Sequence, residues 1–157
     1  MGADTRSVSA IELRVYDEAA RYCGIRDPRT QIQAQFSLSF GVAAALALGD
    51  LGPEAYAEPC FSDPEIRRLE RLVEIVADPE LSRLPRRSAR LTIGTGQERM
   101  SEKADAVPGD AARPLGGEAV IAKFRRYVGP TLGEEAEGMI ERILEGRPSE
   151  FTTGILC

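Results

Sequence analysis

The sequence predicts an α+β fold, an antiparallel sheet of about four strands covered by helices and followed by two C-terminal helices. Three observations carry this. Short stretches near residues 8–16, 73–77 and 89–93 alternate apolar and polar residues with the period of a strand, and 100–106 can return from a turn as a hairpin partner. The apolar stretch at 30–48 is too long for a strand. After residue 117 the pattern changes to helical stripes that do not return to strand periodicity. Strands separated in this way from runs of helix belong to α+β folds rather than alternating α/β ones.

Taken in order, Ile11, Leu13 and Val15 alternate with Glu12 and Arg14 in a first strand over Val8–Tyr16, and Asp27-Pro28 marks a turn. Thr30 with Gln33 forms a capping-box pattern that opens a buried central helix, Thr30–Leu48, with Gly49 as its stop. That helix is apolar on several sides, which implies burial rather than a surface position. Gly52-Pro53 opens a loop. Asp63-Pro64 reads as an N-cap followed by proline in the first turn of a short helix ending near Arg71, after which Val73, Ile75 and Ala77 alternate as a strand. Ala89, Leu91 and Ile93 form a third strand, Gly94-Thr95-Gly96 its turn, and Met100–Ala106 the returning partner. Val107–Gly117 is rich in Pro and Gly and reads as a linker. Val120, Ile121, Phe124 and Val128 mark the next helix. Thr131 with Glu134 is expected to cap the last, whose stripe is Leu132, Ala136, Met139, Ile140, Ile143 and Leu144, with Pro148 ending it.

Composition narrows the chemistry. The 157 residues carry a net charge of −5, which argues against nucleic acid as a partner, because neutralising phosphates needs a basic excess. The basic residues are nearly all Arg, a bias that fits a GC-rich coding sequence. No apolar run reaches the length of a transmembrane helix or the character of a signal peptide, so no membrane partner is expected. Cys23, Cys60 and Cys157 form no metal-ligand spacing and are odd in number, which fits a reduced, cytoplasmic compartment. Cys23 and Cys60 read as small buried hydrophobes. No metal or other cofactor is implied.

The strongest exclusion is histidine, of which the chain has none. That removes the usual general base near neutral pH, the Ser-His and Cys-His arrangements, and most catalytic zinc sites. The glycines around Thr95 fit a hairpin turn better than a phosphate loop. The arginines from Arg67 to Arg90 and the glutamates from Glu134 to Glu145 read as solvated faces. The unusual polar residues are Gln35, Ser37 and Ser39, which stand among Phe36, Leu38 and Phe40 where burial is expected. Buried polar groups need partners. Ser37 bonding back to a helix carbonyl, with Phe40 filling core, is the ordinary explanation; a pocket lined by Gln35, Ser37 and Phe40 is the functional one.

At this helix the sequence also resembles a known family. TQIQAQFSLSFGVAAALALGD, Thr30 to Asp50, is similar to the central helix of MmgE/PrpD proteins, with its Phe-Ser-Leu core running into an Ala/Leu-rich stretch. FSDPEIRRLERLVEIVADPEL resembles that family's aspartate-proline helix and following strand, the Gly96 turn its strand-turn-strand, and RPLGGEAVIAKFRRY the segment leading into its Lys-Phe helix. The likeness runs from about residue 8 to 146, and it is the order of the segments that makes it specific.

The resemblance implies a lyase or isomerase family, including 2-methylcitrate dehydratase, cis-aconitate decarboxylase and iminodisuccinate epimerase, that moves protons beside the carboxylates of small polycarboxylate substrates without a required metal. It implies a helical domain, a smaller α+β lid and a site between them. Residues 1–116 then correspond to the lid, and 117–157 to a segment that packs on a helical domain outside this chain. The acid–base Asp, His and Lys residues of the family belong mainly to its N-terminal half, so this chain alone is expected to be inactive. The N-terminal helical domain or subunit is the implied protein partner, and a homodimer is implied as well. Gln35, Ser37 and Phe40 fall at substrate-side positions; Phe40 stands where some members place a pocket Tyr and has no proton to donate. Gly116-Gly117 replaces the usual Ser or Thr cap. A non-catalytic α+β binding or association module is the alternative, favoured by the missing histidine and the well-capped helices.

Overall fold

The computed structural model describes residues 5–96 and 98–146. The chain separates into two compact units, one up to Val107 and one from Pro108.

The first unit is built on a four-stranded sheet of order β2-β1-β3-β4. Its strands are β1 (Val8–Val15), β2 (Val73–Ala77), β3 (Ala89–Thr95) and β4 (Glu98–Ala104). The fold is α+β, as the alternation predicts. The sheet is not wholly antiparallel: β1 runs parallel to β2, with Leu13 opposite Ile75, whereas β1–β3 and β3–β4 are antiparallel. The reason is connectivity. Most of the unit's helices lie between β1 and β2, and a crossover of that length is what a parallel pair requires.

Those helices are α1 (Asp17–Tyr22), α2 (Gln31–Gln35), α3 (Leu38–Leu48), α4 (Glu58–Ser62) and α5 (Pro64–Leu72), with α6 (Pro79–Ser82) after β2. Asp63 caps α5 as its sequence predicts, accepting from the amides of Glu65 and Ile66, both at 2.9 Å. Thr30 accepts from Gln33 N, but the return bond of the expected capping box goes elsewhere: Gln33 Oε1 takes the Arg29 amide at 2.8 Å. The hairpin turn also lies later than predicted, because β3 continues through Gly94 and Thr95, and β4 spans Glu98–Ala104 rather than Met100–Ala106. The short helix α1 has no counterpart in the predicted elements.

α3 and α5 pack on each other and against β1 and β2. Ile11, Val73, Phe40, Ile66 and Leu69 meet there, each at most 2 % exposed. Phe40 lies against Phe61 and Tyr56 with ring centroids 5.7 and 6.5 Å apart. Tilted rings at these separations are a favourable aromatic arrangement.

The second unit contains α7 (Gly117–Leu132) and α8 (Glu134–Leu144), which pack on each other. Arg125 grips Glu137 with two bonds, of 2.6 and 2.7 Å. The predicted Thr131–Glu134 cap does not form. Thr131 lies inside α7, and Gly133, at φ 54°, makes the break without a side-chain cap. Glycine adopts that φ without a Cβ clash, so the turn is set by backbone freedom. Pro148 and Cys157 lie outside the described residues.

Candidate functional site

The predicted single helix Thr30–Leu48 is two helices, and the break forms the centre of the site. Phe36 and Ser37 leave helical geometry, with Ser37 extended at φ −120° and ψ 100°. The backbone of 23–25 enters the gap and takes the freed groups. Ile25 N donates to Phe36 O at 3.2 Å, and Leu38 N to Cys23 O at 2.9 Å. Ser37 then caps α3, its Oγ accepting from Phe40 N at 3.1 Å and donating to Ile25 O at 2.6 Å. A residue read as bonding to its own helix therefore holds a neighbouring loop.

Behind Ser37 lies a buried polar network. Ser39 Oγ is 3.2 Å from Ser37 Oγ and 3.3 Å from Glu70 Oε1. The single proton of Ser37 is engaged by Ile25 O, so the Ser39 proton is the one that chooses between Ser37 and Glu70. Glu70 is 4 % exposed and is the one buried charged residue among those described. Its Oε1 also accepts the Asp27 amide at 2.9 Å, and its Oε2 meets Arg67 Nη1 at 2.7 Å. Arg67 donates further to the carbonyls of Phe61 and Pro28 and pairs with Asp27 Oδ1 at 3.0 Å. Arg26 holds the carbonyls of Glu70 and Val73. A buried carboxylate persists only when paired and hydrogen-bonded, and both conditions are met.

The network corrects the reading of the arginine run as a solvated face. Arg67 is mostly enclosed. Arg68 ties Glu65 to the carbonyls of Val8 and Thr5, and Glu65 also receives the Thr5 hydroxyl. Asp27 is the strained point. Its φ of 51° is left-handed, a region that Asp tolerates better than most residues but that a following proline disfavours. Arg29 and Arg67 hold its carboxyl below the usual range, through a hydrogen bond from Arg29 first and the charge of Arg67 second.

On the other side of α3 an open apolar groove of about 440 Å3 runs along the sheet. Leu13, Leu91, Leu38, Val42 and Leu46 form its walls, and Gln35, Ser37 and Cys23 line it where α3 begins. The three predicted site residues thus separate. Gln35 is exposed, and its amide has no partner among the described residues. Ser37 lines the groove but turns its hydroxyl inward. Phe40 is fully enclosed in the core. Sequence reasoning missed Glu70, Arg67 and Asp27. A signal for Glu70 was present: it follows Ile66 and Leu69 and precedes Val73 at the spacing of one helical stripe, so a carboxylate occupies a core position.

Cys23 and Cys60 are half-buried and free, rather than fully enclosed. Burial pushes the Cys60 thiol up, away from thiolate character. Among the described residues no group of three or more Cys, Asp or Glu is placed to hold a metal ion. None of their helices is long and apolar enough to cross a membrane.

No curated protein matches the chain significantly. The family model described as MmgE/PrpD C-terminal domain matches residues 1–146, which include the whole first unit with the broken helix and buried network, and the second unit through α8. The chain belongs to the MmgE/PrpD family, of which it carries the C-terminal domain.

Proposed function

We propose that this domain is the substrate-covering part of an MmgE/PrpD-type lyase or isomerase acting on small polycarboxylates, and that the groups moving protons come from another polypeptide segment. The observation that carries this reading is the state of the chain's own acids. Removing a proton beside a carboxylate needs a base in hydrogen-bond reach with a pKa near the working pH. There is no histidine. Glu70, the buried carboxylate, has both oxygens engaged by Arg67, Asp27 N and Ser39. Asp27 is shifted downward, opposite to what a general base requires.

In this reading Gln35 offers its free amide to a substrate carboxylate. Ser37 contributes by fixing the backbone that follows Gln35, and Phe40 anchors the next helix, α3, in the core. Closure over substrate excludes water and orients the reacting carbon. Free half-buried cysteines agree with a cytoplasmic setting, and a homodimer agrees with the family.

A non-catalytic association module is the second reading, favoured by the first unit's own core and by the side-chain caps of α2, α3, α5 and α6. Mixing separates the two. The purified chain is combined with a helical polypeptide bearing the family's His and Lys groups, and dehydration, decarboxylation or epimerisation of polycarboxylates is followed. The proposal expects activity only in the mixture, with Gln35→Ala raising KM. Stable association of the pieces with no turnover of any polycarboxylate favours the second reading.

A further inference from the structure

We infer that the groove between α3 and the inner face of β1 and β3, with the neighbouring strand β4 along its edge, is a docking site for an amphipathic helix with a basic flank. The first observation is an apolar surface that the described elements of the first unit leave partly exposed. α3 is apolar all round. Phe40, Ala43 and Ala44 are fully buried on one side, whereas Leu38, Val42 and Leu46 are only half-buried and line the groove. A helix of this composition is built to be enclosed on both sides. The sheet shows the same asymmetry: α3 and α5 lie over β1 and β2, Leu91 and Ile93 on β3 stay half-buried, and Met100 on β4 is 59 % exposed.

The second observation gives the sign of the partner. Register places Glu102 opposite Leu91, Met100 opposite Ile93 and Glu98 opposite Thr95. Paired residues of an antiparallel ladder share a face. Glu98 and Glu102 therefore flank Met100 on the same sheet face as Leu91, one strand beyond the groove wall. Both are exposed, and neither has an ion pair or hydrogen bond among the described residues. An acidic rim beside an apolar trough selects an apolar stripe bordered by Arg or Lys and repels an acidic border. The trough follows α3, whose 11 residues span about 16 Å, so about three helical turns fill it. A second copy presenting the same acidic edge opposes its own charge. This docking runs along α3, past the end of α2 where Gln35 stands, and does not depend on the substrate reading, because it requires no carboxylate ligand.

The test uses the full chain and two lactam-bridged helical peptides of about three turns with the same Leu stripe, one flanked by Arg and the other by Glu. Fluorescence anisotropy reads binding, and chemical-shift changes locate it. The Arg peptide is expected to bind at Leu91, Val42 and Met100 about tenfold more tightly than the Glu peptide, the combined effect of two exposed charge pairs. The preference should vanish in Glu98→Gln/Glu102→Gln, which leaves the core untouched, and shrink in high salt. Equal binding of both peptides, binding elsewhere, no binding by either, or a groove filled by self-association that the peptide fails to displace each overturns the inference.

Discussion

Glu70 is the residue whose replacement tests the structural account most severely. Glu70→Ala removes the partner of a mostly enclosed guanidinium and the acceptor of the Asp27 amide and the Ser39 hydroxyl. Breaking a buried ion pair by deleting one member costs about 3–5 kcal/mol, because the other charge stays buried. Here Arg67 keeps Asp27 at 3.0 Å and two backbone carbonyls, which places the expected loss near the lower end, about 3 kcal/mol. Glu70→Gln keeps an oxygen for the Asp27 amide but loses the charge-assisted bond and turns an NH2 toward the Arg67 donors, so about 1.5–3 kcal/mol is expected. Urea unfolding followed by circular dichroism measures both. A cycle with Arg67→Met should give a coupling of at least about 1 kcal/mol. A loss under about 1 kcal/mol for Glu70→Ala, or additivity with Arg67→Met, refutes the network as the element that holds the 24–30 loop.

Three further outcomes follow from the same geometry. Ser37→Ala removes the cap of α3 and the bond to Ile25 O, and should cost about 1–2 kcal/mol in the same unfolding assay while leaving unfolding two-state. Asp27 has a folded-state pKa below its unfolded one, so its contribution is present above the unfolded value and lost as pH falls through the folded one; Asp27→Asn should flatten the acid limb of stability against pH, and an unchanged limb contradicts the pairing. Ser88 is 3 % exposed with no partner for its Oγ among the described residues, so Ser88→Ala should be neutral or stabilising by about 1 kcal/mol in thermal melts; a clear destabilisation contradicts an unsatisfied hydroxyl.

How far the sequence reaches is best seen residue by residue. The Ile11–Leu13–Val15 alternation and the Asp63-Pro64 start are local signals, governed by side-chain period and by one capping bond, and both appear in the structure. The break at Ser37 is not local. Its hydrogen bonds come from residues 23–25, across a loop, so a helical pattern read along the chain passes straight through it. What the sequence does reveal is the conflict, hydroxyls among apolar neighbours. The burial of Glu70 and Arg67 has the same character: in the run Arg67-Arg68-Leu69-Glu70-Arg71 the charges look solvated until tertiary structure supplies Asp27 and Ser39. The parallel β1–β2 pair depends likewise on where the crossover docks, which strand alternation does not encode. The spacing of Phe40 allows it a place in the core, where the structure puts it, whereas the open amide of Gln35 becomes visible only once α2 ends beneath it.

The central claim is that this domain holds and covers a substrate but does not itself move the proton. Solvent-deuterium exchange tests it whether the complete enzyme dehydrates, decarboxylates or epimerises. The purified chain is incubated in D2O with di- and tricarboxylic acids, and label at the carbon beside each carboxylate is followed by NMR. No exchange above the uncatalysed rate is predicted. Catalysed exchange that disappears in Glu70→Gln, with the fold retained, contradicts the claim and makes Glu70 the base.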